Sequence, residues 1–239
     1  MENILLKYMI ERFNEAKQEK INTQNNLPFV TISREYGCPA KEISSLLVQK
    51  ININYSSLNQ SDPWRIINKE ILEEASRELN INPERINKFF SAEKRGTIDE
   101  ILSSLTEKYY KSDLKIKKTL AKIIKDFANK GNVVIVGRGG VSATYNINNG
   151  IHIRLFAPLE WRAEKIIEKG YCKSMEEAKK LAKEIDFKRN ELIRIVSNNC
   201  FDDSSFNITY NCSFFNNEEI TDSIIYHLII KKLLKRKNS

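Results

Sequence analysis

Three short stretches carry the residues best suited to chemistry. The first is Ser33-Arg34-Glu35-Tyr36-Gly37-Cys38-Pro39-Ala40-Lys41-Glu42, between a β-rich run and an apolar helix pattern. A phosphate cradle needs inward backbone N–H groups, a helix N-terminus and usually a lysine for the outer phosphates. Gly37 and Lys41 suit that task. The stretch is not GxxxxGK[ST], because Glu42 follows the lysine and Pro39 has no N–H to offer. Alone, it equally describes an ordinary strand-to-helix turn. The second stretch is Gly137-Arg138-Gly139-Gly140, where three of the chain's eight glycines sit in four positions. It reads as a backbone-lined anion pocket with the Arg138 guanidinium matched to phosphate oxygens, or as a tight turn with an exposed arginine. The third is Glu184-Ile185-Asp186-Phe187-Lys188-Arg189-Asn190-Glu191-Leu192-Ile193-Arg194. Its spacing brings Asp186 and Arg189 near one helical face, either as a mobile segment carrying arginines to a reacting phosphate or as a solvated, salt-bridged helix.

Tyr36 and Trp64 are candidates for stacking on a base, or core aromatics. His152, on an apolar strand, reads as structural.

The elements that must position these residues alternate between strand and helix. Apolar spacing predicts a helix over residues 2–20, then a polar linker. Strands are expected at 29–33, 64–67, 132–136, 151–156 and 206–211. Helices are expected over 42–50, 69–80, 82–91, 98–110, 115–129, 159–169, 174–196 and 217–235. Asn82 with Pro83, and Ser174 with Glu177, read as helix starts; Gly131 reads as a helix stop. Continuous β-branched strands separated by helices imply a parallel sheet with right-handed crossovers, and such sheets bind ligands at the carboxyl ends of their strands.

Composition narrows the classes. The chain has 239 residues, a formal charge of +8, four cysteines and two histidines. No apolar run approaches the roughly 20 residues that span a bilayer, so no membrane association is expected. The start of the chain does not read as a secretory signal. The cysteines are scattered and lack zinc-ligand spacing, which suggests a reducing, cytoplasmic setting and no protein-built metal cage. The basic charge describes a lysine-rich surface or an attraction to phosphates; no nucleic-acid motif accompanies it, and nucleic acid is not an expected partner. The C-terminal KKLLKRKNS reads as a solvated helix end.

Residues 31–44, TISREYGCPAKEIS, resemble the first motif of the cytidylate-kinase-like family, a pattern close to TISREYGSGGREIA. PWRIINKEIL (63–72) is similar to the family's PWxxFDxEL, VIVGRGG (134–140) to its third motif, FAPLEWR (156–162) to its helix-entry motif, and residues 184–195 to its lid with D-x-x-R. Order and spacing agree across about residues 28–230. The resemblance implies an α/β, three-layer P-loop NTPase-like fold: a five-stranded parallel sheet flanked by helices, with helical nucleotide-binding and lid insertions at about 62–130 and 170–197. The kinase-like domain would span 28–239, after an N-terminal helix and linker (1–27) that packs on the core or mediates a homodimer.

It also implies transfer of the ATP γ-phosphoryl group, with Mg2+, to a nucleotide such as CMP, or a catalytically weakened nucleotide- or phosphate-binding regulator of the same fold. Lys41, Arg138, Arg189 and Arg194 would act in catalysis. Arg34, Tyr36, Gly37, Cys38, Ala40, Lys41, Glu42 and Arg162 would hold ATP. Asn68, Lys69, Gly137, Arg138, Gly139, Asp186 and Arg189 would hold the acceptor. The chain departs from the pattern at Pro39 and Ala40, where the family has glycines, and at Asn68, where it has an aspartate.

Overall fold

A computed structural model of the chain describes residues 27–57, 62–68, 70–79, 107–196 and 203–236. The expected helices over 2–20 and 82–91, most of that over 98–110, and Lys69 lie outside the described residues.

Five parallel strands form the centre: β1 (Phe29–Arg34), β3 (Arg65–Ile67), β4 (Val133–Val136), β5 (Gly150–Phe156) and β6 (Ile208–Asn211), in the spatial order β3-β4-β1-β5-β6. β1 takes the middle because it is buried on both faces, with Phe29, Val30, Thr31 and Ile32 at 1% exposure or less. It pairs in register with β4 (Val30 with Val134) and with β5 (Val30 with Ile151). The chain leaves β1 toward the β3 edge and later crosses to β5, so the switch in direction falls beside β1.

Helices cover both faces. On one side, α1 (Ala40–Asn54) and α7 (Asn217–Ile230) pack together through Ile43, Leu47, Ile51, Ile220, Ile224 and Leu228. Lys50 ties the two helices by ion pairs to Glu218 and Asp222. On the other side, α2 (Glu70–Leu79), α3 (Glu107–Lys130) and the short α4 (Gly140–Thr144) enclose Ile71, Ala75, Leu120, Ile123, Ile124 and Ala143 against Phe29 and Ile135. A third cluster joins α5 (Leu159–Glu168) to α6 (Met175–Val196) through Ala163, Ile166, Ala178 and Ala182.

Two sequence expectations need correction. Tyr110 and Lys115, assigned to separate helices, lie in the single helix α3. Ser112 and Asp113 are mediocre helix formers, but without glycine or proline they do not break one. The closing helix stops at Ile230 rather than continuing to 235. Lys232 takes a left-handed conformation (φ 58°), and the Leu233 N–H returns to the Leu228 carbonyl at 2.8 Å. The tail then forms strand β7 (Leu234–Arg236), antiparallel to β2 (Tyr55–Ser57), burying Leu234. A lysine fills the role usually given to a glycine at a helix end, so the stop carries no sequence mark.

Two starts and stops agree with expectation. The Glu177 N–H donates to Ser174 Oγ at 3.2 Å, and Gly131 closes α3 at φ 69°.

Candidate functional site

The carboxyl ends of β1, β4 and β5 face the loop that runs from Arg34 to Pro39. This loop begins with the Glu35 N–H donating to the Leu155 carbonyl at 3.0 Å, which holds it against the end of β5. Gly37 follows at φ 99°, the left-handed region that disfavours side chains. A Cβ there would lie 2.9 Å from both Cβ and the carbonyl oxygen of Arg162, so glycine is required by space as well as by conformation. Pro39 starts α1 without a side-chain cap. The positive end of that 15-residue helix therefore faces the loop, with Lys41 exposed in its first turn. Glu42 is exposed beside it and pairs with Lys169 at 2.9 Å. The Ser44 hydroxyl, buried, donates back to the Lys41 carbonyl at 2.9 Å.

The loop also satisfies several of its own amides. The Cys38 N–H donates to the Glu35 carbonyl (3.2 Å), and the Ala40 N–H to the Cys38 carbonyl (2.9 Å). The Tyr36 N–H donates to Asp186 Oδ1 at 2.7 Å. Asp186 lies on α6, so the loop is joined directly to the helix expected to act as a lid.

Arg162 sits under this junction, 7% exposed. Its Nη1 donates to Asp186 Oδ2 (2.6 Å) and to the Tyr36 carbonyl (3.0 Å), while Nε donates to the Ala157 carbonyl (2.9 Å) and lies 3.2 Å from Glu35 Oε2. Glu35 in turn accepts from the Ala157 N–H at 3.3 Å and approaches Arg154 Nη2 at 3.6 Å. Burial pushes the Asp186 carboxyl up from its ordinary value, opposed by the Tyr36 amide and by the Arg162 and Arg189 guanidiniums. Glu35, a centre of this network, was not read from the sequence as a site residue, although it stands inside the loop motif. Arg162 and Asp186 thus join β5, the loop and α6.

The second glycine stretch forms a turn of three consecutive left-handed residues: Gly137 (φ 69°), Arg138 (φ 59°) and Gly139 (φ 73°). For Arg138 this conformation is uncommon and strained. It brings Nε of Arg138 to 3.4 Å from Asn68 Oδ1, at the end of β3. Gly137 lies against the Arg34 guanidinium, where any Cβ would collide. Arg189 completes the group: its Nη1 reaches the Arg34 carbonyl at 3.4 Å, and its guanidinium lies 5.4 Å from the centre of the Tyr36 ring. Arg34, Arg138 and Arg189 thereby come from β1, the β4 turn and α6 to one end of the sheet. The backbone of Arg194 belongs to α6; its side chain lies outside the described residues.

The alternatives left open for other residues are settled by packing. Trp64 is a core residue, 4% exposed, with its backbone N–H and carbonyl both bonded to the Asn52 side chain. His152 is buried in β5 with Thr31 Oγ1 2.8 Å from its Nδ1. No group of His, Cys, Asp or Glu among the described residues forms a metal-binding cluster, and no described helix is long and apolar enough to cross a membrane.

The model of the cytidylate kinase-like family matches residues 29–232. Among solved structures, an uncharacterised protein from Eubacterium ventriosum superposes with a TM-score of 0.58 at 18% identity, over 84% of this chain and 97% of that one. Shikimate kinase from Acinetobacter baumannii, in complex with shikimate, gives 0.45 at 12% identity over 87% and 97%. The YorR protein from Bacillus subtilis, in complex with phosphorylated GDP, gives 0.45 at 12% identity over 85% and 97%. No curated protein matches the sequence. The first superposition agrees with the fold described above; the family match spans most of the chain, and on that match the chain belongs to the cytidylate kinase-like family.

Proposed function

We propose that the protein binds ATP and transfers its γ-phosphoryl group to a nucleoside monophosphate such as CMP. One observation carries the reading: an uncapped helix start with Lys41, a strained glycine-flanked turn holding Arg138, and the guanidiniums of Arg34 and Arg189 share one end of the sheet. Phosphoryl transfer asks the protein for positioning and positive charge more than for covalent chemistry. In this assignment Lys41 and the backbone from Gly37 to Glu42 hold the ATP phosphates, with Arg34 and Tyr36 alongside. Arg138, Gly137, Gly139, Asn68 and Lys69 hold the acceptor phosphate. Arg189 and Arg194 come from the lid to the transferring group and help exclude water. Arg162 and Asp186 act by holding the loop and lid base in register. Magnesium, carried by the ATP phosphates, would supply charge neutralisation at the β- and γ-oxygens.

A second reading has specific support. The amides of Tyr36, Cys38 and Ala40 already have partners in the protein, Pro39 has none to give, and Asn68 lacks an aspartate's charge. A loop so occupied suits a nucleotide-binding regulator with weakened turnover.

ADP release from Mg-ATP, measured over CMP, dCMP, UMP, AMP and GMP, separates the two. Stimulation by one acceptor, lost by about 100-fold or more in Lys41→Ala, supports the kinase. Silence across the panel, with ATP binding seen by calorimetry, supports the regulator. Turnover unchanged in Lys41→Ala overturns the role given to that lysine.

A further inference from the structure

We propose that the last turns of α7 and the β2–β7 hairpin form a docking face for an anionic lipid surface. Residues 223–239, SIIYHLIIKKLLKRKNS, hold four lysines and an arginine and no aspartate or glutamate. Residues 43–57, which run from α1 through β2, also lack acidic side chains. The carboxylates of α7, on Glu218, Glu219 and Asp222, lie in its first half, and Lys50 pairs with two of them. The fold then gathers the cations. α7 stops at Ile230, the chain reverses at Lys232 (φ 58°), and β7 returns beside β2 with Leu234 buried. Lys231, Lys232, Lys235 and Arg236 are left exposed around that one leucine.

Apolar side chains stand bare among these cations. Tyr226 and Ile230, 61% and 56% exposed, lie one turn apart on one side of α7, while Ile220, Ile224 and Leu228 fill the core from the other. Ile53, 63% exposed, comes two residues before Tyr55, the register partner of Arg236. A basic cluster attracts anionic headgroups, and apolar side chains beside it gain by burial at the headgroup–acyl boundary. A nucleic-acid backbone would use the charges but offers isoleucines nothing, and the face has no row of aromatics on which bases could stack. No described helix is long and apolar enough to cross a membrane, so the contact is peripheral. α1 and α7 both start at the end of the sheet that carries the candidate site, and their last turns lie about 20 Å further along their axes. Docking through this face therefore leaves Lys41, Arg138 and Arg189 turned to water.

The test is flotation of the full chain with phosphatidylcholine vesicles, with and without about one third phosphatidylserine. The expected result is binding to the anionic vesicles alone, weakening as salt rises. Replacing Lys231, Lys232, Lys235 and Arg236 together by glutamine should weaken it by about 100-fold or more. Tyr226→Ser with Ile230→Ser should weaken it by about tenfold at constant charge. All six side chains are exposed, so the urea midpoints of both variants should match wild type; the comparison of the two vesicle types needs no variant. Absence of binding, equal binding to both vesicle types, or unchanged binding in either folded variant overturns the proposal. So does tighter binding to a single-stranded oligonucleotide than to the anionic vesicles, which would make the face a nucleic-acid surface. No nucleoside triphosphate or acceptor enters the experiment, so failure of the kinase reading leaves its outcome intact.

Discussion

Replacing Arg162 by methionine removes the charge at the loop–lid junction while keeping much of the side chain's volume. Four oxygens lose the Arg162 guanidinium: Asp186 Oδ2, Glu35 Oε2, which keeps the Ala157 N–H, and the carbonyls of Tyr36 and Ala157. Because Arg162 is only 7% exposed, solvent cannot replace it readily. Breaking a buried ion pair from one side costs about 3–5 kcal/mol, a large part of a typical domain's stability. The cost should depend on pH. Burial already raises the Asp186 carboxyl, and without Arg162 it rises further above its unfolded value. A carboxyl with a raised folded pKa destabilises most when ionised, so the penalty is greatest at neutral pH and shrinks as acid protonates the group. Urea unfolding of wild type and Arg162→Met at pH 7 and pH 5 measures this. Arg162→Lys, which keeps a charge near Asp186 but cannot reach all four oxygens, should fall between the two. A loss below about 1 kcal/mol, or an equal loss at both pH values, would refute the argument that this arginine neutralises buried carboxylates.

Three further outcomes follow from the same geometry. Gly37→Ala, at φ 99° and 2.9 Å from Arg162, should cost about 1–3 kcal/mol and weaken ATP binding more than a surface change does, read by urea melts and calorimetry. Burial lowers the pKa of His152 to about 4, below its unfolded 6.5; a base depressed in the folded state lends stability above its unfolded value and loses it as pH falls between about 6.5 and 4. That group should contribute a loss of about 2–3 kcal/mol on going from pH 7 to 4.5, and the slope should vanish in His152→Gln; parallel curves for the two proteins would contradict it. Leu234→Ala should cost about 2–4 kcal/mol, although the residue sits in a basic tail, because Leu234 is 1% exposed on β7; a change under about 0.5 kcal/mol would mean that the tail does not pack there.

Much of the sheet was legible because its strands are short β-branched runs between helical patterns, and burial of β1 and β4 on both faces leaves no polar alternation there to confuse the reading. The loop and turn motifs could be located for a related reason: glycines and arginines at strand ends mark themselves by type. Glu35 shows the limit. Its charge looks like any other in the sequence, and only the end of β5 brings Arg154, Arg162 and the Ala157 amide to it. Arg162 and Asp186 could be singled out but not joined to each other or to the loop, because 24 positions separate the two and 126 to 150 separate them from Tyr36.

The sequence by itself determined the alternation of strands and helices, the glycines needed at left-handed turns and the supply of cations, since these follow from local periodicity and conformational preference. The tertiary structure alone decided the return of the tail as β7 beside β2 and the occupation of the loop's amides by Asp186 and by the loop itself. The physical reason is that each of these depends on which distant group fills a vacant donor or acceptor, and that is set by strand order rather than by neighbours along the chain.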